Sequence, residues 1–197
     1  MGMKRFAAIG IALGVATLAW ARALPPGWSS PSPASYRHDA SNLVFGTRLA
    51  RFELAMPPEV SGANGASAVS YMGTAVNKLT IYILPLDRLP APADEGEFIG
   101  AIAGILQLLP QVEAESVGTF LLAEGGQENL GRIATFRFKA QDRVMGTLLI
   151  VVAARRHILK FRATYPSADE QKALVHVGES ISELLGEDLE LVTKPAN

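Results

Sequence analysis

The stretch Val144–Ala154 (VMGTLLIVVAA) constrains the fold more than any other part of the chain. It is apolar at nearly every position, so as a strand it has no solvent face and needs cover on both sides. Its neighbours read differently. Leu130–Lys139 alternates Ala134, Phe136 and Phe138 against Thr135, Arg137 and Lys139, and Ile158–Tyr165 alternates Leu159, Phe161, Ala163 and Tyr165 against Lys160, Arg162 and Thr164. Such alternation marks strands with one buried face. Gln141-Asp142-Arg143 and Arg155-Arg156-His157 are the turns between them. Connections this short join antiparallel strands, because a parallel pair needs a long crossover. Phe136, Leu149, Val151 and Phe161 are the expected core of this meander.

Cover for two faces comes from two helices. Asp94 opens the first, with Glu97 as its capping-box partner. Phe98, Ile102, Ile105 and Leu109 line one side, and Pro110 stops it. Gly100 and Gly104, four apart, would let another backbone approach closely, so they read as packing. The second helix follows Pro166, with Ser167 and Glu170 as capping box, Leu174, Val177, Ile181, Leu184 and Leu185 at helical spacing, and Gly186 at C′. Further strands are expected at Leu43–Leu54, with a turn or bulge at Gly46 and a stop at Pro57-Pro58, and at Ala68–Met72, Lys78–Leu84 and Ser116–Leu122. The result is an α+β fold, an antiparallel β-sheet flanked by helices, in the order β-β-β-α-β-β-β-β-α.

Residues 1–23 read as a secretory signal peptide: Lys4-Arg5, an apolar run from Phe6 to Ala21, and small-x-small sites ending at Ala21 and Ala23. The apolar run is shorter than the ~20 residues a spanning helix needs. Cleavage near Ala23 is therefore expected, with no stable membrane anchor afterwards and a periplasmic or secreted product. Residues 24–41 (beginning LPPGWSSPSPAS) read as a Pro/Ser-rich linker that contains Trp28, residues 42–190 as one domain, and residues 191–197 as a tail. The chain has no cysteine, which excludes a thiol nucleophile, a thiolate metal site and a lipid-modified cysteine. A formal net charge of −1 gives no broad attraction to nucleic acid or anionic lipid.

No motif carries a catalytic signature. His38, His157 and His176 read as surface histidines, and no two have the i, i+4 spacing of a zinc helix. There is no Gly-x-Ser-x-Gly elbow, and Ser180 lies inside the second helix. The carboxylate pairs Glu113/Glu115 and Glu187/Asp188 read as solvated, and Gly125-Gly126 as a turn rather than a phosphate loop. No catalytic residue, metal or cofactor is expected. The one constellation with binding chemistry is basic: Arg137, Lys139, Lys160 and Arg162, with Arg155 and Arg156 at a hairpin tip. In compatible register the four would share a face and meet a small anionic ligand or an acidic protein partner of the cell envelope.

The segment Leu148–Pro166, ending His157-Ile-Leu-Lys-Phe-Arg-Ala-Thr-Tyr-Pro166, resembles the strand–turn–strand that precedes the last helix in the PsbP-like fold group. That group is named for an extrinsic photosystem II subunit and includes small exported bacterial proteins. The resemblance covers Leu43–Leu185 in topology and apolar pattern. It implies a non-catalytic binding or assembly accessory, with a small-molecule or lipid carrier, or a hydrolase with a dispersed site, as alternatives. In the carrier reading, the helix Phe98–Leu109 covers a cavity against the sheet.

Overall fold

The computed structural model describes residues 23–61, 66–86, 93–109, 111–124, 127–186 and 194–195. The expected signal segment up to residue 22, Pro110, Gly125-Gly126 and Glu187/Asp188 lie outside these ranges. The architecture is α+β. A small antiparallel sheet holds β1 (Trp28–Ser32), β2 (Ser35–His38) and β3 (Leu43–Gly46). The main antiparallel sheet is built from β4 (Arg48–Leu49), β5 (Phe52–Ser61), β6 (Ala66–Met72), β7 (Lys78–Pro85), β8 (Glu113–Glu124), β9 (Gln127–Ala140), β10 (Arg143–Ala154), β11 (His157–Pro166) and β12 (Lys194–Pro195). Its spatial order is β12-β8-β9-β10-β11-β7-β6-β5-β4. Helix α1 (Ala93–Leu108) separates β7 from β8 in the chain, and α2 (Glu170–Leu185) follows β11.

The apolar strand β10 lies between β9 and β11, with Met145–Val152 buried without interruption. One face carries Ala134, Phe136, Leu149, Val151 and Ile158 under Phe98 and Ile105 of α1. The other carries Leu148, Ile150, Leu159 and Phe161 under Val177, Ile181 and Leu185 of α2, together with the small sheet. Cross-strand glycines make room for two large rings. Gly131 sits opposite Phe120 and Gly146 opposite Tyr165, and a Cβ on either glycine would come within 2.1 or 2.2 Å of the ring.

The β10–β11 turn shows how local chemistry sets the hairpin. Ala154 pairs with His157, so Arg155-Arg156 is a two-residue loop, with φ of 49° and 61°. Such primed turns match the twist of the strands but favour glycine or asparagine. Arg155 compensates through its side chain, which donates to the Leu185 carbonyl at the C-terminus of α2 (3.1 Å). A cation there also meets the negative end of the helix dipole.

Four expectations are corrected. Residues 24–41 do not form a linker: they contain β1 and β2, and Trp28 is 7% exposed within the main core. Turn-forming residues concealed strands that pair with each other and bury one tryptophan. The expected order has three strands before the first helix, whereas seven described strands precede α1; Lys194–Pro195, in a segment expected as a short strand or a loose tail, pairs with Thr119 and Gly118. Pro57-Pro58 does not stop β5, which runs through them with a register shift between Met56 and Glu59. Beyond Phe52 and Glu53, which pair with the two-residue β4, no described strand flanks that side of β5, so prolines are tolerated there. Finally, neither capping box forms as expected. Ser167–Asp169 makes a 3-10 turn and α2 starts at Glu170 without a side-chain cap, whereas Gly186 (φ 74°) closes it as expected, its N–H donating to Ser182 O. Asp94 and Glu97 of α1 pair with cations of the sheet.

Candidate functional site

Register decides which cations can act together. Directly paired residues of an antiparallel sheet point to one face, and successive residues alternate. Lys160 pairs with Val151, and Arg162 with Leu149, which places both on the α1 face. Arg137 pairs with Gly146, and Lys139 with Val144, which places them on the opposite face. The four expected binding residues therefore divide into two pairs on two faces. Arg137 and Lys139 are exposed, and Arg137 is ion-paired with Glu115 of β8.

The pair on the α1 face sits in a cleft. A cavity of ≈ 340 Å³ lies between α1 and the sheet, lined by Gly100, Ala101, Gly104, Ile105 and Leu108 of the helix and by Leu149, Tyr82, Lys160 and Arg162 of the strands. The first turn of α1 supplies its acids. Glu97 pairs with Lys160, both largely withdrawn from solvent (14% and 19% exposed), and Asp94 and Glu95 pair with Arg132. Acids in a first turn also favour the positive end of the helix dipole. Lys160 lies 4.9 Å over the Tyr82 ring, which pairs with it across β7 and β11. Arg162 makes no ion pair or side-chain hydrogen bond among the described residues. Lys160 is thus neutralised and Arg162 is left as the cation facing the cleft. The sequence reading names both residues, and its carrier alternative places a cavity under Phe98–Leu109; the parts of Arg132 and Tyr82 come from the structure alone.

The glycines of that wall depart from expectation. The spacing of Gly100 and Gly104 predicts a packed backbone, yet among the described residues a Cβ on either would meet no atom within 4 Å. The space beside them belongs to the cleft.

Two of the three histidines expected at the surface are displaced from it, whereas His176 stays half-exposed on α2. His38 and His157 are buried (8% and 5% exposed), with their rings 5.4 Å apart and perpendicular. Trp28 stacks edge-on against His38 at 5.1 Å and donates its indole N–H to Ser67 Oγ (3.1 Å). His157 Nδ1 lies 2.8 Å from the Arg155 carbonyl and so carries the proton. His38 Nδ1 accepts from the Ser41 backbone N–H (3.4 Å) and lies 2.8 Å from Ser41 Oγ. That Ser–His distance suits a nucleophile and base. However, Ser41 is 4% exposed, and its Oγ accepts from the Leu43 N–H (3.4 Å), so it clamps a turn. Burial, reinforced by neighbouring His157 and opposed by Asp39, lowers the His38 pKa. Together these rings join the small sheet to β11.

A second, more open depression is lined by Arg48, Ala50, Arg51, Thr74, His176, Glu179 and Glu183. Its charges serve each other. Arg51 donates to Glu179 (2.7 Å) and holds that carboxyl below the usual range, while Glu183 accepts the Ala50 N–H (2.6 Å). These contacts fix α2 to the β4–β5 turn. His176 packs edge-on to Phe52, and Ser180 Oγ donates to the His176 carbonyl inside α2. Among the described residues no group of three or more His, Asp or Glu side chains could hold a metal ion, and no helix is long and apolar enough to cross a membrane.

No protein-family model matches the chain, and no curated protein matches it. Among solved structures it is similar to a Pseudomonas aeruginosa protein of unknown function, suggested to be a regulator. The two are 11% identical over 74% of this chain and 99% of that one, with a TM-score of 0.41. A likeness of that degree assigns no activity.

Proposed function

We propose that the chain is a non-catalytic binding or assembly accessory, exported and working in the cell envelope. The observation that carries this reading is the cleft between α1 and the sheet, where Lys160 is neutralised by Glu97 and Arg162 is left without a partner among the described residues. A half-buried guanidinium with no counter-ion is costly and well suited to receiving an anionic group. Export rests on Lys4-Arg5, the apolar run and the Ala21-Arg22-Ala23 site. Membership of the PsbP-like group is part of the proposal; the order of the two helices within the meander supports it, as does Trp28 on the first strand, where that group usually carries a tryptophan.

The experiment is native mass spectrometry of the protein isolated from envelope fractions, beside affinity recovery of its partners. A chain starting at Leu24 or Arg22, carrying a bound small molecule or a stoichiometric protein partner, is the expected result. A full-length species held in membranes removes the export reading. A mature chain with neither ligand nor partner removes the accessory reading.

A further inference from the structure

We infer that the cleft under α1 takes one small anionic amphiphile, with its carboxylate or phosphate on Arg162 and its short apolar chain along the wall formed by Gly100 and Gly104. This rests on the binding reading above and gives it a ligand class.

Charge comes first. Of the two cations in the cleft, Lys160 is held by Glu97 and lies over the Tyr82 ring. That leaves the forked, permanently charged donor of Arg162, a shape that matches a planar carboxylate or a phosphate.

The wall comes second. Glycine is a poor residue for a helix interior, because it loses more chain entropy than alanine. It is tolerated where a neighbouring backbone must come close, but no described atom lies within 4 Å of a Cβ built at Gly100 or Gly104. What the two glycines leave is room in the cleft, flanked by the apolar Ile105, Leu108 and Leu149. An apolar wall leading to a single charged end is the outline of an amphiphile.

Size comes third. A volume of ≈ 340 Å³ is at the small end of ligand sites, which run from roughly 300 to 1,000 Å³. It suits one short chain rather than a two-chain lipid. Among the described residues Tyr82 is the only aromatic ring in the lining, and Lys160 lies over its face, so they offer a stacked nucleobase no platform.

The test is calorimetric titration of the mature protein with octanoate, octyl phosphate and octanol. The two anions are expected to bind 1:1, and octanol at least tenfold more weakly. Arg162→Gln should bring octanoate down to the octanol level. Gly104→Leu, which projects a side chain into the cleft and replaces a poor helix former, should abolish binding of all three while the thermal midpoint stays at or above wild type. Equal octanoate affinity in wild type and Arg162→Gln overturns the inference, as does undiminished binding by folded Gly104→Leu. If Arg162→Gln fails to fold, Gly104→Leu decides alone. Co-sedimentation with phosphatidylglycerol vesicles separates a free amphiphile from a lipid headgroup. The protein should stay in the supernatant, and pelleting overturns the free ligand. Wild type that ignores both anions yet recovers a stoichiometric envelope partner loses this ligand and keeps the accessory reading.

Discussion

Trp28→Ala measures whether the first strands belong to the folded unit. Trp28 is 7% exposed, its ring meets His38 at 5.1 Å and Phe45 at 5.5 Å, and its N–H bonds to buried Ser67. Truncating a large aromatic in a core costs about 3–5 kcal/mol, from lost transfer energy and the cavity left behind. The upper half of that range is expected, because Ser67 also loses its donor and is left buried. Trp28→Phe keeps most of the apolar contact and loses the hydrogen bond, so about 1–2 kcal/mol is expected. Both values come from urea titrations followed by far-ultraviolet circular dichroism, with the slope unchanged. Since domains are stable by only about 5–15 kcal/mol, the alanine variant should unfold at visibly lower urea. A change within about 0.5 kcal/mol, the range of ordinary surface substitutions, would return residues 24–41 to the status of a linker.

Phe161→Ala, at a fully buried position of β11, should cost about 3–5 kcal/mol, and a loss below about 1 kcal/mol in the same titration would refute its placement. Gly146→Ala forces a methyl into the Tyr165 ring and should cost about 1–3 kcal/mol, whereas unchanged stability would show that the ring moves freely. Acidification should act through His38. Its folded pKa lies below 6.5, so the unfolded chain takes up the proton first. The stability this gives is fully present above 6.5, falls as pH drops toward the folded value, and has a slope of at most about 1.4 kcal/mol per pH unit for one proton. Stability measured from about pH 8 to pH 5 should show this fall in wild type and a flatter curve in His38→Gln; parallel curves would remove His38 as the cause.

The central meander was legible because periodicity there is strong and local. Phe136, Leu149, Val151 and Phe161 are all buried as their spacing requires, and Met145–Val152 is covered on both sides. The N-terminal strands were illegible because Pro31, Pro33 and the serines around them carry turn signals, while the evidence for a strand at Trp28 lies in partners distant in sequence, such as Ser67. The same holds for His38 and His157: nothing near either residue says that their rings will meet across two sheets.

The basic residues show how little separates a correct reading from a divided one. Alternation correctly grouped Arg137 with Lys139 and Lys160 with Arg162, since each pair is two apart on its strand. Whether the pairs join depends on parity at β10, and there Gly146 pairs with Arg137 while Leu149 pairs with Arg162. An odd offset along β10 sends them to opposite faces. That parity follows from the two hairpin turns: Ala140 pairs with Arg143 around one, and Ala154 with His157 around the other. Lengthening either loop by one residue while keeping the outer strand's contacts would reverse the grouping. The cleft therefore owes Arg162, unpaired among the described residues, to turn geometry as much as to composition. Arg137, on the other face, is paired with Glu115, and Arg162 is left facing the glycines of α1.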